Sequence, residues 1–220
     1  MSRKTDGWVK KYQEKDALWI HDGNVERPHA LLTSGMHSNG FFNSRLVTSD
    51  EPLLREAASD LVEIYRHAKG FTKGPGLIVG PQTGATKLAE FISDEYERYR
   101  PCGWVSPEKV GEGKNREMLF SPEEFSVLEG EDVLLCEDVI TTGGSIDLTA
   151  KAVTKARATI LPFVLALVNR SGLKELSGRK ILALIDRPMQ TWTEEECPLC
   201  KLKSKPFRPK DNWYLLNKEI

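Results

Sequence analysis

Two adjacent carboxylates, Glu137 and Asp138, stand between a short apolar run at 133–136 and a loop of hydroxyl-bearing residues and glycines. The apolar run is typical of a buried parallel strand, and residues 146–157 after the loop favour a helix. Hydroxyls and the free N–H groups at a helix N-terminus bind phosphate, whereas a carboxylate pair suits a sugar diol or Mg²⁺. The phosphate-binding candidates are Thr141, Thr142, Gly143, Gly144 and Ser145.

This stretch resembles the phosphoribosyl-pyrophosphate (PRPP) motif of type I phosphoribosyltransferases, in which an apolar strand leads into two acids and a Thr/Ser/Gly loop. The resemblance implies that Glu137 and Asp138 contact the ribose hydroxyls of PRPP. It also implies that the 141–145 loop holds the 5-phosphate and that Mg²⁺ binds together with PRPP. An ordinary Gly-rich turn between a strand and a helix is the alternative.

A second loop, 80–84, is bounded by glycines and lies between a predicted strand at 76–80 and a predicted helix at 85–99. Its backbone N–H groups can bind an anion because they precede a helix. In the resemblance this loop takes the place of the pyrophosphate loop, and a plain tight turn is the alternative. The residues that would lie at the pyrophosphate are Gln82, Thr83, Gly84 and Lys87.

The polar segment 106–126 contains glycines and prolines and predicts a long mobile loop or excursion. Its Gly-Glu-Gly at 111–113 resembles part of the family's catalytic loop, and the resemblance implies that Lys109 and Lys114 supply positive charge to the pyrophosphate, as could Arg116. The segment is shorter than the family's loop and carries fewer basic residues. A flexible, solvated loop without a catalytic role is the alternative.

Residues 32–43 resemble the N-terminal hood of orotate phosphoribosyltransferases, where a Ser-Gly pair, a second Ser and an aromatic pair followed by Asn recur in this order. There the segment covers a planar base. Thr33 stands where the family has a lysine that contacts the ligand. Asn169-Arg170 resembles the family's Asp-Arg, in which the arginine recognises the orotate carboxylate with paired hydrogen bonds. A surface arginine that caps the strand end is the alternative. The base-binding candidates are Ser34, His37, Phe41, Phe42 and Arg170.

Predicted strands and helices alternate along the chain, with further elements at 51–69, 103–105, 159–168 and 180–186. The alternation favours an α/β fold with a mostly parallel central sheet flanked by helices, and the resemblance adds a small hood subdomain. We expect a phosphoribosyltransferase domain over residues 1–190 and a tail over 191–220. The hood would span about 1–47 and the core about 51–190, with ligands at the carboxyl ends of the strands.

Cys197 and Cys200 form a C-x-x-C pair, which can bind zinc or iron or act as a redox couple. A structural zinc ion usually takes four ligands, and no other cysteine or histidine lies nearby in sequence. A second chain could share the ion, or folding could supply His21, His29, His37 or Cys102. Reduced structural thiols are the favoured interpretation. The stretch 201–210 carries five basic residues and no acid, and it predicts a solvated tail, with a position over phosphates at the site as the alternative.

The composition suits one soluble domain, since 40% of the 220 residues are hydrophobic and 29% are charged. A net charge of −1 gives no general attraction to nucleic acid or to anionic membranes. No apolar run approaches the ~20 residues that span a bilayer. We therefore expect a cytoplasmic protein without nucleic-acid or membrane partners. Because family members are commonly homodimers, the resemblance implies a homodimer.

The reaction that the resemblance implies is transfer of the phosphoribosyl group from PRPP to a ring nitrogen of a planar base, with release of pyrophosphate. Orotate is the expected base. Two other functions stay open, namely a PRPP-binding regulatory protein with little or no transferase activity and a transferase for a purine or another base. The small number of basic residues in the 106–126 segment favours the regulatory protein. The hood favours an enzyme.

Overall fold

The computed structural model of the protein describes residues 3–71 and 73–216. The α-helices are α1 (Arg3–Glu14), α2 (Ser44–Thr48), α3 (Glu51–Arg66), α4 (Thr86–Tyr96), α5 (Pro122–Leu128), α6 (Gly144–Lys155), α7 (Pro198–Lys201) and α8 (Pro209–Leu216), with a 3₁₀ turn at Gly113–Asn115. The strands are β1 (Leu18–Ile20), β2 (His29–Leu31), β3 (His37–Ser38), β4 (Gly40–Phe42), β5 (Leu77–Val79), β6 (Gly103–Val105), β7 (Glu108–Val110), β8 (Glu117–Leu119), β9 (Asp132–Ile140), β10 (Thr159–Asn169), β11 (Glu175–Leu176), β12 (Arg179–Asp186), β13 (Thr191–Trp192) and β14 (Pro206–Phe207).

The central sheet has six strands in the order β11-β12-β10-β9-β5-β6. All neighbours in it pair in parallel except β11, which pairs with β12 in antiparallel orientation at one edge. The α/β fold with a mostly parallel sheet is therefore confirmed. Parallel strands end at one common edge, so the segments that follow β5, β6, β9 and β10 lie side by side.

Helices cover both faces of this sheet. Residues of α1, α3 and α4 pack on one face with Leu134 and Leu165, whereas α6 packs on the other with Leu135 and Val164. These neighbours in sequence face opposite sides because side chains alternate along a strand. The two central strands are thus apolar on both faces, which is the pattern of a parallel sheet buried between helical layers.

A smaller sheet, which we call the hood sheet, has the order β13-β3-β2-β14. It joins the N-terminal region to the C-terminal region, because β14 pairs in parallel with β2 and β13 pairs with β3. The prediction of a solvated tail over 201–210 was therefore wrong. Its five basic side chains are indeed exposed, but the backbone of Pro206–Phe207 pairs with another strand. The division into domains at about residues 47 and 190 stays a prediction.

One further expectation needs correction. The segment 106–126 is a β7–β8 hairpin followed by α5, and not a long loop. Ser121 and Glu124 form a reciprocal capping box that starts α5. The N-terminal region, which shows no long periodicity, forms α1 with Trp8 and Tyr12 buried on one face. Within the described residues, no helix combines the length and apolar character needed to cross a membrane.

Candidate functional site

The acid pair lies inside β9, two residues before that strand ends at Ile140, and not in the following loop as the sequence suggests. Glu137 is buried at 7% exposure, and Asp138 is partly exposed. The Asp138 N–H donates to Glu137 Oε1 at 3.2 Å, and the Val139 N–H donates to Asp138 Oδ1 at 2.8 Å. Both carboxylates are therefore fixed by the backbone of a buried strand at the edge where ligands bind.

Burial raises the pKa of Glu137 well above its ordinary value, and the adjacent negative charge of Asp138 raises it further. Lys109 opposes this shift through its positive charge, as does the hydrogen bond from the Asp138 N–H. Two carboxyls this close do not ionise independently. The pair therefore favours a partner that brings positive charge or hydrogen-bond donors.

The hydroxyl-and-glycine loop follows β9 directly and leads into α6. Gly143 has φ +86° at the N-cap of α6, and a Cβ there would clash with Leu176 Cδ2, so this turn requires glycine. Residues 139–146 and Glu137 line a small pocket of about 110 Å³. The pocket places the N-terminus of α6 and the loop hydroxyls around one volume, which is the arrangement that binds phosphate.

Lys109 reaches this loop from the β7–β8 hairpin. Its Nζ donates to Ser145 Oγ at 3.1 Å, so the structure brings together two site candidates that are 36 residues apart. Lys114 lies in the 3₁₀ turn between the two strands of the hairpin, and its side chain is outside the described part of the structure.

The loop at 80–84 lies against the acid pair. A Cβ on Gly84 would meet the Asp138 carboxylate, with Oδ2 at 2.7 Å and Cγ at 2.8 Å, so the two segments approach as closely as a glycine allows. The Gln82–Thr83 peptide bond is cis, and the Gln82 side chain donates to the Ser106 carbonyl at 3.0 Å. Thr83 and Lys87 are exposed at this edge, Lys87 in the first turn of α4.

Ser106 is a positioning residue that the sequence did not reveal. Its hydroxyl donates to the Gly80 carbonyl at 2.7 Å, so the Thr86 hydroxyl, 2.7 Å away, must be the donor to Ser106 Oγ. The Ser106 N–H donates to Glu124 Oε1 at 2.9 Å. This buried serine thus ties both ends of the 80–84 loop to the start of α5. No local sequence pattern marks it, since every partner is distant in the chain.

Arg170 follows β10 and is 2% exposed. Its Nη1 donates to the Gly40 carbonyl at 3.0 Å and its Nη2 donates to Ser38 Oγ at 2.6 Å, so it joins the central sheet to the hood strands. Among residues 3–71 and 73–216 the Arg170 Nε has no hydrogen-bond partner. Burial lowers the pKa of Arg170 to about 10, which leaves the guanidinium charged at neutral pH.

The remaining base-binding candidates occupy different surroundings. Phe42 is buried and packs edge-on against Tyr12, and Phe41 packs against Trp213 at 5.7 Å between ring centroids. Ser34 is exposed in the turn between β2 and β3. Direct contact of these residues with a base stays a prediction.

His37 lies in a buried cluster that also contains His29, Cys197 and Cys200. The structure therefore brings two of the four residues named from the sequence to the C-x-x-C pair. Cys102 instead lies beside β6 in the core, and His21 contacts Gly23 and Arg27. The histidines were missed as a metal-site pattern because they lie on neighbouring strands and have no recognised spacing. Base binding by His37 stays a prediction.

The buried Glu137 carboxyl should make stability depend on pH. Its folded pKa lies above its unfolded pKa, so the folded state loses stability as pH rises from the unfolded value towards the folded one. Glu137→Gln keeps the shape and removes this loss. The melting temperature of the variant should therefore gain on wild type between about pH 5 and pH 8, by about 2–4 °C for each kcal/mol relieved. The exposed Glu195→Gln is the control. If Glu137→Gln and wild type differ in melting temperature by the same amount at both pH values, the raised pKa of Glu137 is contradicted.

The family match and the relatives named below agree on the kind of protein to which this sequence is similar. The Phosphoribosyl transferase domain family matches residues 48–198. Orotate phosphoribosyltransferase of Wolinella succinogenes is 33% identical, with 82% of this chain and 88% of the relative covered. Orotate phosphoribosyltransferase of Heliobacterium modesticaldum is 30% identical over 82% of this chain and 88% of the relative.

Solved structures share the fold. A phosphoribosyltransferase from Corynebacterium diphtheriae superposes with a TM-score of 0.59 at 19% identity, covering 84% of this chain and 96% of that one. Orotate phosphoribosyltransferase of Mycobacterium tuberculosis H37Rv gives 0.57 at 17% identity, covering 83% and 95%. At these identities the likeness concerns the fold alone. The extent of the family match, together with the relatives' identity and coverage, establishes that this chain belongs to the phosphoribosyl transferase domain family.

Proposed function

We propose that the protein transfers the phosphoribosyl group from PRPP to a ring nitrogen of orotate and releases pyrophosphate. Curated relatives at 30–33% identity that carry the name orotate phosphoribosyltransferase support this substrate. The structural observation that carries the proposal is the buried charge of Arg170. A planar base with a carboxylate is the ligand that this charge would recognise.

Arg170 makes no ion pair with any carboxylate in residues 3–71 and 73–216. Burial is the one cause of its lowered pKa, which is consistent with the lack of a nearby acid. Buried charges in proteins are normally paired, because desolvation costs several kcal/mol per ion. A ligand carboxylate at the Nε would supply both the missing charge and the missing acceptor.

The other end of the substrate would lie along β9 and β5. The 141–145 loop would bind the 5-phosphate, and Lys109 beside Ser145 would add positive charge there. Glu137 and Asp138 would hold the ribose hydroxyls, and the loop at Gly84 would face the pyrophosphate. Since bond breaking leaves positive charge on the ribose ring, carboxylates fixed beside it stabilise the transition state without a covalent intermediate.

Mg²⁺ fits this donor set, because a hard cation binds one or two carboxylates together with substrate phosphate oxygens. Glu137 and Asp138 would hold it. When bound, Mg²⁺ would neutralise charge that builds up on the departing pyrophosphate. We infer a homodimer and a cytoplasmic location from the family alone, and light scattering on the purified protein would measure the oligomeric state.

Asp138→Asn should lower turnover with PRPP and orotate by about 100-fold or more, because it removes one carboxylate from the ribose site. Pyrophosphate release with saturating Mg²⁺ measures the effect. Asp94→Asn, at an exposed position on α4, should leave the rate unchanged. Release from wild type with a purine but not with orotate would replace the proposed base. Tight PRPP binding without release from any base would favour the regulatory protein instead.

Gly84→Ala should lower kcat/KM for PRPP by about tenfold or more, because the added Cβ lies within 2.7 Å of the Asp138 carboxylate and pushes the loop and the acid apart. Gly7→Ala in α1 is the matched control, since a Cβ there meets no atom within 4 Å. It should keep full activity. Normal PRPP kinetics in the Gly84 variant would mean that this close approach is unimportant.

Arg170→Lys should raise KM for orotate by about tenfold, because lysine cannot donate paired hydrogen bonds to a carboxylate while it holds Ser38 and Gly40. Turnover of uracil, which lacks the carboxylate, should change less. Arg98→Lys, at an exposed position, is the control. If orotate and uracil lose activity equally, Arg170 organises the hood strands and does not read the base.

A further inference from the structure

One ligand atom from each of His29, His37, Cys197 and Cys200 lies within 4.8 Å of the other three. His29 Nε2 is 3.7 Å from Cys197 Sγ and 3.5 Å from Cys200 Sγ, and His37 Nδ1 is 3.3 Å from Cys200 Sγ. A tetrahedral Zn²⁺ ion with two sulfur and two nitrogen ligands sets neighbouring ligand atoms about 3.3–3.8 Å apart. These three nitrogen–sulfur distances therefore match the ligand spacing of a zinc site.

Hydrogen bonding alone does not satisfy this cluster. His29 Nε2 faces three polar atoms at once, since His37 Nδ1 also lies 2.8 Å from it. A neutral imidazole nitrogen offers either one proton or one lone pair, and a thiol is only a weak donor. A single cation at the centre would use all four ligand atoms together.

The tautomer of His29 is set by its second neighbour. Ser204 Oγ donates its one proton to the Arg27 carbonyl at 2.7 Å, so it must accept from His29 Nδ1, which is 3.0 Å away. The lone pair of His29 is then on Nε2 and faces the two cysteines. A hydrogen bond that fixes the non-ligating nitrogen in this way is the usual support of a metal-binding histidine.

We propose that His29, His37, Cys197 and Cys200 bind one Zn²⁺ ion as a closed structural site. Two thiolates and two imidazoles suit zinc, and a C-x-x-C pair has the ligand spacing of structural zinc sites. His29 and Cys197 are fully buried, His37 is 3% exposed and Cys200 is partly exposed, so the protein's own four ligands would cover most of the ion. No open position is left for a substrate.

The ion would fasten the C-terminal segment to the hood sheet, since His29 and His37 are on β2 and β3. Cys197 directly precedes α7, and Cys200 lies in it. Ser38 follows His37 directly and accepts the hydrogen bond from Arg170. Zinc loss should therefore loosen the Ser38–Arg170 contact. This consequence rests on the proposed function, whereas zinc binding itself does not.

The first test is metal content. The full-length protein is refolded or purified under reducing conditions, supplied with Zn²⁺, separated from free ion and analysed by mass spectrometry for metals. We expect one zinc per chain in wild type and in the control Cys102→Ser, and about a tenfold lower content in Cys200→Ser. Cys200 is chosen because it is partly exposed and, unlike His37, is not a base-binding candidate.

Co²⁺ in place of Zn²⁺ gives a readout that does not depend on activity. Visible absorption typical of tetrahedral cobalt with thiolate charge-transfer bands would support the site, and its absence from wild type would overturn it. Wild type that holds less than a tenth of an equivalent of zinc, or that has a Cys197–Cys200 disulfide under reducing conditions, would also overturn it.

Chelation of the loaded wild type avoids variants that fail to fold. Removal of zinc should lower the melting temperature by about 5 °C or more, because an ion that binds only the folded state stabilises it. It should raise KM for orotate severalfold and leave KM for PRPP unchanged. Zinc binding with no change in either KM would support the zinc site and contradict its effect on binding of the base. Zinc binding without transferase activity would support the zinc site and contradict the proposed function.

Discussion

The parallel pairing of β9 between β5 and β10 is the constraint on which the candidate site depends. β9 is buried on both faces as far as Glu137, so its acid pair reaches the surface only at the carboxyl edge of the sheet. The same pairing sets the ends of β5 and β10 beside that edge, which brings Gly84 against Asp138 and holds the Arg170 N–H on the Ile140 carbonyl. Three segments far apart in sequence therefore meet because one buried strand has two parallel neighbours.

Structural elements and site residues that lie in one continuous stretch of sequence could be predicted. Those that depend on contacts between distant residues could not. The strand, acid pair, glycine loop and helix occupy 132–155 without interruption, and local propensity alone indicates their order. Ser106 is different, because its partners Gly80, Thr86 and Glu124 are 18 to 26 residues away. A buried serine has no sequence signature until the fold shows what it holds.

The predictions from sequence that were wrong failed for physical reasons. Strands of two or three residues, such as β7, β8 and β14, are too short to show alternation, so the polar stretches in which they lie suggest loops. The tail illustrates this clearly, since its lysines are exposed while its backbone pairs with β2. Amino-acid composition indicates which side chains are exposed. Strand pairing depends instead on the backbone N–H and C=O groups. The His/Cys cluster was hidden for a related reason, because 160 residues separate Cys197 from His37 and only the hood sheet brings them together.

Arg170 connects substrate recognition to this hood sheet. Its two bonds to Ser38 and Gly40 leave three of the five guanidinium N–H groups without an acceptor among the described residues. Ser38 in turn donates to the Gln190 carbonyl at 2.7 Å, at the start of the C-terminal segment. A carboxylate bound to Arg170 would strengthen a network that already spans β10, β3 and the tail. Order in the hood and affinity for an acidic base are then two effects of the same contacts, and whatever fixes the tail against β3 also prepares the guanidinium for its ligand.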